Sequence, residues 1–204
     1  MRTWVRACLF ILSGITALSG PVRIHAQQPM TPVPFMPFSD GNDSMVTADL
    51  RYQIGTTNLI IVVPTGFVTD FASVPRVFWS ILPPAGSYQL AAVVHDFLYW
   101  DQGCTREQAD ALLRSAMIES RVEAYKRDII YEAVRRGGGT AWATNTAEKA
   151  AGHPRVVPAA HRAIPALMTW SVYRTQLMAA GIRPDATPAT PPPYCNAAGA
   201  VIGH

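Results

Sequence analysis

An α+β fold is predicted for this chain, and three observations predict it. Short alternating or β-branched segments come first, segments with a helical apolar stripe follow, and turns containing Gly or Pro separate the pieces. The expected architecture is a small antiparallel β-hairpin or sheet packed on an antiparallel helical hairpin plus a third helix. The α+β domain is expected at residues 43–145, after an arm at 27–42 and before a C-terminal extension at 146–204.

The first 26 residues read differently. Arg2 and Arg6 precede an apolar run at 7–18, and Ser19, Gly20 and Pro21 lead to a cleavage position at Ala26. This is the layout of a secretory signal at 1–26, too short for a permanent bilayer span, so the mature chain is expected to be exported to the periplasm or beyond. No later apolar run reaches membrane-helix length, so no transmembrane span is expected in the mature chain. The full chain has 17 Lys+Arg and 14 Asp+Glu, but Arg2, Arg6 and Arg23 leave with a signal that holds no acid. The mature balance is then 14 against 14, with no electrostatic footprint for nucleic acid or an anionic membrane.

Residues 27–42 are rich in proline and polar side chains and read as a linker or irregular arm. Residues 45–54 alternate imperfectly, 58–63 is a β-branched run, and Gly55-Thr56-Thr57 between them suits a hairpin turn. After Pro64 and Gly66, extended structure resumes at Phe67 and Val68. In 69–84, Ser73 can cap a short helix with Pro75 in its first turn, an apolar face of Val77, Phe78, Ile81 and Leu82, and Pro83-Pro84 as its stop.

Three helices are expected next. The first covers 87–102 and ends at Gly103, the residue type that most easily turns left-handed after a helix. The second opens at once on a capping box, Thr105 to Gln108, and buries Ala109, Leu113, Ala116 and Met117. The third, at 122–136, places Val122, Tyr125, Ile129 and Ala133 on one face and stops at Gly137-Gly138-Gly139. A further helix is expected at about 163–180, then an extended or disordered proline-rich tail at 184–193. Cys104 and Cys195 either form one disulfide tying the tail to the helical hairpin or remain two thiols.

The connection between the first two helices is short enough to force them antiparallel and adjacent. His95 is eight residues before Gly103 and Asp110 seven after it, so both sit roughly 11–12 Å from the turn. Asp110 flanks the apolar stripe of its helix, and a buried carboxylate needs a partner. A His95–Asp110 contact is therefore predicted. The carboxylate would fix the ring's tautomer and orientation and leave its other nitrogen as a general base. Asp96 projects about 100° further round the helix and can hold a cation beside that base. Tyr99, one turn past His95, can hydrogen-bond Asp110, and Asp70 reads as a turn or cap residue. A buried His–Asp pair that merely pins two helices is the competing reading. His153, His161 and His204 show no ligand spacing, there is no GxSxG nucleophile motif, and zinc-type Cys or His pairs are missing. The metal phosphohydrolases built on His-Asp dipeptides need upstream histidines, and the mature chain has none before His95.

Four segments carry a resemblance: VPTGFVTDFASVPRVFW from Val63, AAVVHDFLY from Ala91, REQADALLRSAM from Arg106 and YEAVRRGGGTAW from Tyr131. In this order and spacing, over residues 62–142, the chain resembles the Domain of Unknown Function 1353 family (DUF1353), known mainly from phage and bacterial genomes. That resemblance implies a domain without implying an activity. The helix around His95 is also similar to the CCxxHDxCY helix of secreted phospholipases A2, where an aspartate on the next antiparallel helix supports the histidine. By that resemblance His95, Asp110 and Tyr99 are the catalytic group, and Asp96, with an oxygen from Asp70 if 69–75 folds over the helix, would bind Ca2+. Ala91, Ala92 and Leu98 occupy the cysteine positions, and the glycine-rich calcium loop is replaced by Pro83-Pro84-Ala85-Gly86. Two functions follow: an exported hydrolase with a His–Asp dyad for ester or phospholipid-type substrates of the cell envelope, or a non-enzymatic, phage-derived structural or binding module.

Overall fold

The computed structural model describes residues 30–71 and 88–199. The expected signal at 1–26 and the expected short helix in 69–84, beyond Phe71, lie outside the described residues. Two small antiparallel sheets pack against helices, the α+β arrangement expected. One sheet has the order β1-β2-β5, from Phe35–Pro37, Ser44–Val46 and Val68–Thr69. The other is the hairpin β3-β4, from Leu50–Gln53 and Ile60–Val63, with Leu50 opposite Val63 and Tyr52 opposite Ile61. Those four side chains are buried in the main core while Arg51 between them is exposed, the period-two pattern of a half-buried strand.

Two expectations at this end are corrected. The single strand at 45–54 is two strands in different sheets, because the chain turns at Thr47-Ala48-Asp49. There Thr47 donates through its hydroxyl to the Pro34 carbonyl (2.9 Å), and the Asp49 carboxylate takes the backbone N–H and hydroxyl of Thr65 (2.8 and 2.6 Å). The arm is not irregular over its described part. Met30 bridges Tyr52, β1 pairs with β2, and Met30 and Phe38 are buried. Pro37, which lacks an N–H, is tolerated because β1 is an edge strand.

Helix α1 (Gln89–Asp101) is buried on most sides, and α2 (Arg106–Glu119) opens on the complete Thr105–Gln108 capping box. All four residues of the expected α2 stripe are buried. The left-handed residue between the helices is Gln102 (φ 57°) and not Gly103. Gln102 is held there by its side-chain amide, which donates to the Trp142 carbonyl and the Thr146 hydroxyl. Gly103 serves close approach instead: a Cβ there would lie 2.7 Å from Asp101 Oδ2 and 3.0 Å from Pro192 Cδ.

The third helix departs most from expectation. Helix α3 spans Ala124–Ala150, 27 residues, and runs through all three glycines. Its buried side is Ile130, Val134, Gly138 and Asn145, while Tyr125 and Ile129 are exposed. Gly138 faces the Tyr99 hydroxyl, which a Cβ would strike, so glycine here lets α3 approach α1 and does not end the helix.

Helix α4 is shorter than expected, Trp170–Ala179, and capped by the Thr169 hydroxyl. It closes a second small core of Phe38, Met45, Val68, Val157, Trp170, Tyr173 and Leu177. The described part of the tail closes on a 3-10 helix at Pro193–Gly199, where Cys195 is bonded to Cys104 with Cα atoms 5.3 Å apart. Among the described residues no helix is long and apolar enough to cross a membrane.

Candidate active site

The predicted pair is formed. His95 Nε2 lies 3.0 Å from Asp110 Oδ1, and the two residues are 2 % and 0 % exposed. Helix periodicity places them level on antiparallel neighbours, whose residues Ala92, Ala109 and Leu113 are buried in the main core. Tyr99 donates its hydroxyl to the same Asp110 oxygen at 2.5 Å, and its ring lies 4.1 Å from the imidazole between centroids. The second Asp110 oxygen accepts from Arg106 (3.1 Å) and Arg135 (3.4 Å). Burial alone would raise the Asp110 carboxyl, but the hydrogen bonds from His95 and Tyr99 and the neighbouring positive charges outweigh it and hold it below the usual carboxylate range. Desolvation, with the Asp110 hydrogen bond and charge behind it, pushes the Tyr99 phenol far up, so it stays a protonated donor.

Asp96 is also buried, and its Oδ2 accepts from the Thr69 hydroxyl at 2.5 Å. Asp70 follows Thr69 directly and receives the Arg155 guanidinium at 3.2 Å. Arg155 further donates to the Val68 carbonyl (2.9 Å) and to Asn145 Oδ1 (3.1 Å), while the Asn145 amide donates to the Tyr99 carbonyl. The guanidinium thus ties β5 to α3, and Asn145 carries the link on to α1.

His95, Asp96, Tyr99 and Asp70 all line one cavity of about 670 Å³. It lies between the two cores. Its α3 wall includes Ala133, Gly137, Gly138 and Ala141, and its other wall carries Asp40, Asp43, Arg155, Trp170 and Arg174. Burial, with the nearby Asp70 charge, raises the Asp43 carboxyl to about 6. Arg174 is paired with Glu148 at 2.7 Å.

Four of the five residues singled out from the sequence therefore line one cavity, and the fifth, Asp110, is bonded to two of them, His95 and Tyr99. The contribution of Arg106 was legible as an i,i+4 Arg–Asp pair on α2. Arg135, Asn145, Arg155 and Arg174 carry no local signal, because their partners are 10 to 87 residues away, beyond the reach of helix or strand periodicity. The Ca2+ expectation requires six to eight oxygens. Asp70 is turned to Arg155 and Asp96 to Thr69, and among the described residues no three His, Cys, Asp or Glu side chains are gathered to hold a metal. These residues do not make a calcium cage.

Residues 44–134 match the family model described as "Protein of unknown function (DUF1353)". A curated relative, an uncharacterized protein y4jT of Sinorhizobium fredii, is 35 % identical over 78 residues, which are 37 % of this chain and 23 % of that protein. The chain thus spans under a quarter of the relative's length. No solved structure matches. The matched region holds His95, Asp96, Tyr99, Asp110 and Asp70, whereas the cavity residues Asn145, Arg155, Trp170 and Arg174 lie beyond it.

Proposed function

Through residues 44–134 this chain belongs to the DUF1353 family, and from that premise we propose that it is an exported hydrolase in which His95, oriented by Asp110, is the general base for ester cleavage. One observation carries the reading: a buried imidazole is held at 3.0 Å by a carboxylate at the wall of a large cavity. Asp110 is kept ionised and can only accept. In the neutral ring the proton therefore sits on Nε2, and Nδ1 carries the lone pair. Nδ1 takes a proton from water, the hydroxide attacks the ester carbonyl, and the imidazolium returns the proton to the departing alkoxide. Asp110 steadies the imidazolium without taking the proton itself. Tyr99 is a positioning residue, fixing the same carboxylate oxygen. Export is supported by the signal-like 1–26 and by the Cys104–Cys195 bridge, which suits an oxidising compartment.

No step is routed through calcium, which enters only as an arm of the assay. Fatty-acid release from mixed phospholipid vesicles and hydrolysis of 4-nitrophenyl esters are measured with and without calcium. The His95→Gln rate is expected to fall by about 10²–10⁴-fold with the fold retained. Equal background rates for wild type and His95→Gln on every substrate reject the hydrolase.

The second reading, a non-enzymatic structural or binding module of the kind phage and bacterial genomes carry, draws support from the completeness of the Asp110 network. It expects His95→Gln and Asp110→Asn to lower stability with no turnover to lose.

A further inference from the structure

If the cavity serves the hydrolase proposed above, its shape along α3 selects among ester substrates. Gly137, Gly138 and Gly139 are consecutive inside α3, where each weakens the helix relative to alanine. The Tyr99 hydroxyl accounts for Gly138. Packing does not account for Gly137, since no described atom lies within 4 Å of the place its Cβ would take. That space belongs to the cavity, which Gly137 lines together with Ala133 and Ala141 one turn to either side. From Ala133 to Ala141 the helix advances about 12 Å. Along that length the residues lining the cavity, Ala133, Val134, Gly137, Gly138, Thr140 and Ala141, offer backbone, methyl groups and a single hydroxyl, while the pairs Asp70–Arg155 and Arg174–Glu148 line the cavity with them. The lane also runs beside the dyad, because Gly138 abuts Tyr99 and Tyr99 bonds the carboxylate that holds His95.

We propose that Gly137 is a specificity-determining residue: its missing side chain leaves room for the extended apolar chain of an ester substrate to lie along α3 while the carbonyl reaches His95. Small esters do not need the lane, and long-chain esters do. A larger residue at 137 shortens the lane without touching the dyad or the core.

The test compares the full chain, disulfide intact, as wild type, Gly137→Leu and Gly139→Leu. Gly139 is equally open but lies off the cavity, so it controls for the change in helix propensity. With 4-nitrophenyl decanoate and acetate as substrates, Gly137→Leu is expected to lower the decanoate-to-acetate ratio of kcat/KM about tenfold. Gly139→Leu is expected to leave the ratio at the wild-type value. An unchanged ratio in Gly137→Leu, or the same fall in both variants, overturns the proposal. Displacement of the neutral probe N-phenyl-1-naphthylamine by decanol is measured alongside, without chemistry. If wild type cleaves neither ester, the hydrolase reading fails on its own account and the probe decides the lane. Decanol binding weakened about tenfold by Gly137→Leu alone supports the lane, and equal binding in all three proteins removes it.

Discussion

Asp110 is the most heavily used side chain of the site, accepting from His95, Tyr99, Arg106 and Arg135 while fully buried. Its removal leaves the buried His95 and Tyr99 donors and the half-buried Arg106 and Arg135 guanidiniums without their acceptor, so Asp110→Ala is expected to cost about 3–5 kcal/mol in urea denaturation. Because its folded pKa is depressed, its contribution is complete above the unfolded carboxylate value of about 4 and is lost as pH falls through the lower folded value. Asp43 behaves oppositely. Its carboxyl is raised to about 6, by burial and by Asp70, so the folded state binds that proton more tightly. Asp43 costs nothing below pH ~4 and progressively destabilises the fold as pH rises to ~6 and above. Asp43→Asn is therefore expected to raise the denaturation midpoint at pH 7 and leave it unchanged at pH 3. A gain equal at both pH values would place the effect elsewhere than in titration.

At the scale of elements, α3 shows why local rules misread this chain. Three glycines in a row ordinarily end a helix, and the stripe Tyr125, Ile129 and Ala133 reads as a core face. Neither holds, because α3 is stabilised by what lies alongside it: Tyr99 against Gly138, and Gln102 and Asn145 bridging to α1. Adjacent glycines should then respond in opposite directions to the same substitution. Gly139→Ala meets open space and is expected to stabilise by about 0.5–1 kcal/mol. In Gly138→Ala the new methyl displaces the Tyr99 hydroxyl from Asp110, at about 1–3 kcal/mol, outweighing the same propensity gain. Urea midpoints of the two variants check the pair, and two shifts of one sign would contradict the packing role given to Gly138. The α1–α2 hairpin was legible because its connection is short and its capping box local. The end of α1 moved by one residue to Gln102 because contacts with α3 decided it.

Across the whole molecule, the cavity exists because the chain returns. Residues beyond the matched region, Arg155, Trp170 and Arg174, supply its far wall, and the Cys104–Cys195 bond holds the tail to the start of α2 across 91 residues. Closing so long a loop restricts the unfolded chain strongly, and Cys195→Ser is expected to lower stability by about 2–5 kcal/mol. Comparison of denaturation with and without reductant measures this, and a reductant effect that persists in Cys195→Ser would assign it to something other than this bond.

What the sequence by itself determined is whatever depends on neighbours within a turn or two. That covers the hairpin β3-β4, the cap and stripe of α2, and the level placement of His95, Tyr99 and Asp110 on antiparallel helices. Strand period, helical rise and a short connection suffice for these. Only the tertiary structure decided that α3 continues through its glycines, that Asp70 turns to Arg155, and that a second core faces the first across a cavity. Those outcomes depend on side chains brought together from distant parts of the chain, and no local pattern encodes such meetings.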